Sequence, residues 1–151
     1  ISGLVGSEMC IRDSILPIGV ADIKRKGTDV TIVSFGKIIK EVYKASEELE
    51  KEGISCEIID LRTVRPLDIN SVIDSVKKTN RLVILEEAWP FGNVSTEITY
   101  QVQEKAFDYL DAPVIKINTA DTPAPYSPVL LEEWLPNSTD VIKAVKKVLY
   151  K

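Results

Sequence analysis

The sequence contains no histidine. That removes the commonest general acid–base side chain and the commonest metal ligand near neutral pH. Cysteine is nearly as scarce: Cys10 and Cys56 stand far apart, so no zinc ligand set can be assembled from Cys and His. Cys56 falls in the apolar-alternating run ISCEIID, where a buried structural thiol is expected rather than a nucleophile. No apolar run approaches the roughly 20 residues needed to span a bilayer. Basic residues do not dominate either, with a net charge of −4, and no basic stretch marks a nucleic-acid face. The opening residues make a poor secretory signal, lacking a basic start and interrupted by Gly6, Ser7 and Glu8. The sequons at Asn93 and Asn137 therefore carry little weight. The chain reads as cytoplasmic. Its chemistry falls to carboxylates, lysines, backbone or another chain.

What is present is an ordinary globular composition, 44% apolar and 28% charged over 151 residues, which fits one domain with a real core. From residue 19 onward the apolar period alternates between two and 3.6. Gly19 to Arg25 reads as a strand, followed by a hairpin-type turn at Lys26-Gly27-Thr28-Asp29. Val30 to Phe35 is a nearly all-apolar run, the pattern of a strand covered on both faces. A helix is predicted over Lys37 to Glu52 and stopped by Gly53. A strand follows at Ile54 to Asp60, and then a loop through Pro66. Asp68 is positioned to cap a helix over Ile69 to Lys77. Arg81 to Leu85 reads as a strand, Val94 to Lys105 as a helix and Val114 to Asn118 as the last strand. Prolines at 123, 125, 128 and 136 lead us to expect no regular helix between Thr119 and Pro136. A helix over Asp140 to Tyr150 closes the chain. Alternating strands and helices imply a three-layer α/β/α sandwich of about five strands. The sheet should be mostly parallel, with the first strand antiparallel at one edge.

In such sheets ligands gather at the carboxyl ends of the strands. The residues there are Ser34-Phe35-Gly36-Lys37, Asp60-Leu61-Arg62, Glu86-Glu87 and Asp121-Thr122-Pro123. SFGK lacks the glycine pattern of a dinucleotide fingerprint or a P-loop, so a structural turn is favoured over a phosphate site. Glu86 and Glu87 are adjacent and point to opposite sides of an extended chain. An ion pair of one of them with Arg62 or Arg65 is favoured over acid catalysis. Trp89 and Phe91, in the loop before Gly92, make either a satellite core or a contact for another chain. The proline-rich stretch with Tyr126 and Trp134 forms a rigid strap or a partner site. The residues alone therefore describe an α/β domain without a self-contained active site.

Four spaced motifs go further. DLRTVRPLD (60–68), EEAWPFGNVSTEI (86–98), FDYLDAPV (107–114) and NTADTPAPYSPVLLEEWLP (118–136) resemble the C-terminal half of pyruvate dehydrogenase beta subunits. The pattern of Asp60, Arg62, Pro66 and Asp68 is shared more loosely across the transketolase superfamily. The resemblance runs from Ile15 to Lys151 and implies a transketolase C-terminal-type domain. The whole enzyme of that family decarboxylates pyruvate with thiamine diphosphate and magnesium and reductively acetylates a lipoyl group. It is a heterotetramer of alpha and beta subunits docked on a dihydrolipoyl acyltransferase core. The resemblance places cofactor and catalysis in the preceding domain and the alpha subunit, so no catalytic, cofactor or metal residue is carried onto this chain. What it leaves here is assembly, with Trp89 and Phe91 at a subunit interface. It also implies docking on the acyltransferase through Asp111 of the LDAP motif and the terminal Lys151, whose carboxylate can accept charged hydrogen bonds. The alternative for Asp111 is a solvated turn acid before Pro113. Trp89-Pro90 and Pro125-Tyr126 are more similar to pyruvate enzymes than to branched-chain ones. Alternatives are another branched-chain 2-oxoacid or acetoin dehydrogenase, or a stand-alone binding module. The expected setting is the bacterial cytoplasm.

The opening LVGSEMCIRDS fits none of this. Read as CTC GTG GGC TCG GAG ATG TGT ATA AGA GAC followed by AG, Leu4 to Ser14 is similar to a transposase-type sequencing adapter. Residues 1–14 are accordingly expected to be a translated adapter without order, and residues 15–151 the domain. On that reading the chain is an N-terminally truncated fragment, inactive alone.

Overall fold

The computed structural model describes residues 17–151, so the expectation for the opening stretch lies outside the described residues. The elements are β1 (Asp22–Arg25), β2 (Val30–Ser34), α1 (Ile39–Lys51), β3 (Cys56–Asp60), α2 (Ile69–Thr79), β4 (Leu82–Leu85), α3 (Val94–Ala106), β5 (Ile115–Ile117), α4 (Pro128–Trp134) and α5 (Ser138–Val148). A short 3-10 turn, Phe107–Tyr109, follows α3. The sheet has the order β1-β3-β2-β4-β5. Every pair is parallel except β1 with β3, which is antiparallel.

Strand alternation sends each strand's residues to two faces. Val30, Ile32, Ile58, Val83 and Leu85 pack with Val42 and Leu49 of α1 and Val141 and Val145 of α5. Val33, Ile59 and Ile84 pack with Val72 and Val76 of α2 and Ile98 and Val102 of α3. All of these side chains are fully buried, each contributing about 1.5–3 kcal/mol by leaving water. The predicted three-layer sandwich with one antiparallel edge strand is the observed one.

Helix ends follow local chemistry. Asp68 accepts hydrogen bonds from the Ser71 N–H at 3.2 Å and the Ser71 hydroxyl at 2.7 Å. It also accepts from the Ala21 N–H at 2.9 Å, so the cap ties α2 to the segment leading into β1. Asn137 and Asp140 form a reciprocal capping box at α5.

Two expectations are corrected. Residues 26–29 are not a hairpin turn, because β1 pairs with β3 rather than β2. Instead the chain crosses beneath the start of β3: the Thr28 and Asp29 N–H groups donate to the Ser55 carbonyl at 3.2 and 2.9 Å. Gly27 makes the crossing possible, since a Cβ there would lie 2.2 Å from the Cys56 carbonyl carbon. The second correction is α4, a helix within the proline-rich stretch. Pro128 occupies its first turn, where the missing N–H is no loss and the fixed φ suits a helix. Pro136 falls just beyond its end. The prolines bracket the helix instead of forbidding it.

Candidate functional site

At the carboxyl ends of the strands, Glu86 follows Leu82 and Ile84 onto the face covered by α3, and it is 1% exposed. Its carboxylate accepts the Ser95 N–H at 3.2 and 3.3 Å and the Asn118 side-chain amide at 3.0 Å. The expected ion pair with Arg62 or Arg65 is not formed. Arg62 lies at the β1 edge of the sheet and pairs with Asp22, while the N-terminus of α3 stands directly over Glu86 and supplies donors of positive polarity. Glu87 is exposed, so the two neighbours do point apart. SFGK leads into α1 with no side-chain cap at Ile38.

Beyond Glu86 the chain forms an aromatic end. Trp89 is 53% exposed and Phe91 is 91% exposed, so neither builds a satellite core. The Trp89 indole donates to the Thr122 carbonyl at 3.1 Å, and Trp134 donates to the same oxygen at 2.9 Å. Thr119 N–H to the Ala88 carbonyl (3.1 Å) and Ala120 N–H to the Trp134 carbonyl (3.3 Å) complete a strap across the loops. Asn93 accepts the Thr96 N–H at 2.9 Å as the cap of α3 and donates to the Trp89 carbonyl at 2.5 Å. A pocket of about 770 Å³ opens between Phe35, Glu86, Trp89, Phe91 and Trp134. Tyr126, Val129 and Leu130 are also exposed on the strap. The strap expected from the proline-rich stretch with Tyr126 and Trp134 is present, but the Thr122 carbonyl shared by the two indoles was not legible in the sequence. Only the density of prolines hinted that this stretch is held rigid.

The other candidate corner gathers around Asp111. Its carboxylate lies 3.2 Å from the Arg81 guanidinium and is 55% exposed. Its N–H donates to the Asn80 carbonyl at 2.9 Å. Arg81 Nε also donates to the Val148 carbonyl at the end of α5, 3.1 Å away. The Tyr150 hydroxyl donates to the Asp111 carbonyl at 3.2 Å. Residues from three distant parts of the chain thus place Asp111 beside Tyr150, and the following Lys151 is exposed. Arg81 was not singled out from sequence; nothing local distinguishes it from a surface cation after Asn80.

Deep in the sheet lies a buried polar network. Glu57, 1% exposed, accepts from the Lys78 ammonium, from the Ser75 hydroxyl at 2.6 Å and from the Gly27 N–H at 3.2 Å. Thr31 bonds the hydroxyls of both Ser75 and Thr79 at 2.6 Å. Burial alone would raise the Glu57 pKa, but these donors outweigh it and hold it below the usual carboxylate value. Burial pushes the Cys56 thiol up to about 12, so it is inert as the sequence suggested. Among the described residues no three acidic, cysteine or histidine side chains are grouped to hold a metal ion. No described helix is long and apolar enough to cross a membrane.

Comparison with known proteins adds a consistent picture. Residues 19–141 match the pattern "Transketolase, C-terminal domain". The chain is 53% identical to the pyruvate dehydrogenase E1 component subunit beta of Rhizobium meliloti (strain 1021), over 92% of this chain and 30% of that protein. It is 44% identical to the mitochondrial subunit beta of Bos taurus, over 95% of this chain and 40% of that protein. A solved structure described as "Split gene transketolase, inactive beta4 tetramer" superposes with a TM-score of 0.79 at 28% identity, covering 91% of this chain and 44% of that one. The chain spans less than half the length of these relatives.

Proposed function

This chain belongs to the transketolase C-terminal domain family, and on that premise we propose that it is the assembly and docking domain of a pyruvate dehydrogenase E1 beta subunit. The observation that carries the reading is identity of 44–53% across more than nine-tenths of the chain to proteins of that one name. The activity of the whole enzyme is oxidative decarboxylation of pyruvate with transfer of the acetyl unit to a lipoyl group. Thiamine diphosphate would supply the carbanion chemistry and magnesium would anchor its diphosphate, both outside this chain. No step of that chemistry is assigned to a residue here.

The chain's own contribution is geometric. The exposed Trp89 and Phe91 are the contact for alpha and beta subunits in a heterotetramer, because large apolar side chains on a rigid loop bury well against a partner. The pinning of Trp89 to Thr122 supports this, since little side-chain entropy remains to be lost on association. Asp111, held by Arg81, and the exposed Lys151 form the docking corner for the basic binding domain of a dihydrolipoyl acyltransferase core, in the bacterial cytoplasm.

The test joins this sequence to the remaining length of its relatives and co-expresses it with an alpha subunit. Pyruvate- and thiamine-dependent decarboxylation is expected. Turnover of branched-chain 2-oxoacids alone refutes the pyruvate assignment.

A further inference from the structure

The pocket at the aromatic end has a charge pattern that shape alone does not explain. Glu86, Glu87 and Glu97 all line it, and among the described residues no lysine or arginine does. Glu86 is the telling member. It is 1% exposed, yet the donors it meets are neutral: the Ser95 N–H and the Asn118 amide. The oxygen Oε2 receives only the Ser95 N–H at 3.3 Å, which it shares with Oε1, so lone pairs remain open. Lys116 on the neighbouring strand does not neutralise it. That ammonium is held by the Pro90 carbonyl at 3.0 Å and the Thr96 hydroxyl at 2.7 Å. Buried carboxylates are ordinarily paired with a cation, and the α3 N-terminus offers only a fraction of a charge.

The remaining walls are aromatic, with Trp89, Phe91 and Trp134 around the opening. Aromatic faces beside carboxylates suit one chemistry above others. A guanidinium is planar, weakly hydrated and forked, so it stacks on rings and pairs with carboxylates while tolerating partial burial; a strongly hydrated ammonium does so less well. We infer that this pocket receives an arginine side chain from a companion subunit, its guanidinium directed to the Glu86 side and its stem along the indoles. The pocket, of about 770 Å³ and open to solvent, has room for one such side chain. The inference rests on the reading of Trp89 and Phe91 as a subunit contact and adds what the partner must present there.

The experiment titrates N-acetyl-arginine amide into the isotopically labelled chain and follows the indole N–H resonances of Trp89 and Trp134, the only tryptophans. N-acetyl-citrulline amide serves as the neutral isostere. Saturable shifts with the arginine compound are expected, with the citrulline compound at least tenfold weaker. Glu86→Gln should weaken arginine binding at least tenfold. Because Glu86 also supports α3, the exposed pair Glu87→Gln/Glu97→Gln provides a second variant, expected to bind several-fold more weakly with an unchanged melting temperature. Equal binding of the citrulline compound, or arginine binding unaffected in both variants, overturns the proposal. In the assembled enzyme, Phe91→Ser separates the two readings. Subunit association unchanged by that substitution refutes the contact and with it the partner as the source of the arginine. Failure of the arginine titration alone refutes the cation and leaves the contact standing.

Discussion

Glu57 shows how a single buried residue sets the conditions under which this domain is stable. Burial disfavours its charge, and Lys78, Ser75 and the Gly27 N–H together more than restore it. Asp22 is likewise held below its usual value, first by Lys24 and against a burial cost, with Arg62 adding to the effect. At Asp68 burial is again outweighed, here by the Ala21 and Ser71 donors. Each of these groups binds its proton less readily in the folded chain than in the unfolded one. The stability they contribute is therefore complete above the ordinary carboxylate range and is lost as pH falls through the lowered folded values. Urea midpoints should drop steadily below about pH 4.5, near the ordinary value of a glutamate carboxyl. Glu57→Gln should cost about 1–3 kcal/mol at neutral pH and flatten the acid slope. An acid slope in that variant as steep as the parent's would remove Glu57 from the account.

At the scale of elements, the crossing beneath β3 decides the topology. Alternation of apolar and polar residues in β1 announced an edge strand, but period alone does not say which neighbour the strand will choose. A short connection ordinarily makes a hairpin. Here the residue that overrides it is Gly27, which lies against the Cys56–Glu57 peptide more closely than any side chain permits. Gly27→Ala must push backbone against backbone, and we expect a loss of about 3 kcal/mol, read as a lower urea midpoint with weakened protection of the β1 amides. A midpoint equal to the parent's would show that the close approach is relaxed at no cost. The same lesson applies to α4. Proline content argued against a helix there, yet position within the stretch mattered more than number: Pro128 starts a helix that a proline in its middle would have broken.

For the whole molecule, the corner around Asp111 exists only because the ends of several elements converge. Asp111 follows α3, Arg81 precedes β4, and Val148 and Tyr150 lie at and just after the end of α5, all joined by hydrogen bonds and one ion pair. Asp111→Arg in the assembled enzyme should weaken binding to the basic domain of the acyltransferase at least tenfold at low salt, about 1.4 kcal/mol. The difference should shrink as salt screens the exposed charge. Because the Asp111 carboxylate is 55% exposed, the fold should survive the substitution, which a melting curve checks. Unchanged affinity at low salt would leave Asp111 as an ordinary turn acid.

Sequence by itself determined the layers of this protein, because burial on two faces or one writes its period directly into the chain. Val30 to Ser34 and Leu82 to Leu85 are legible as covered strands, and α1, α2 and α5 as helices with one apolar stripe, before any contact is known. It also carried the motifs around Asp60, Glu86, Asp111 and Pro125. Tertiary structure alone decided which neighbour β1 chose, that Glu86 meets the start of α3 and Asn118 instead of Arg62 or Arg65, and that Arg81 joins Asp111 to the C-terminal turn. The physical reason is common to all three. Period and local propensity act over a few residues, whereas these partners are separated by about ten to seventy positions and meet only when the sheet brings its strand ends together.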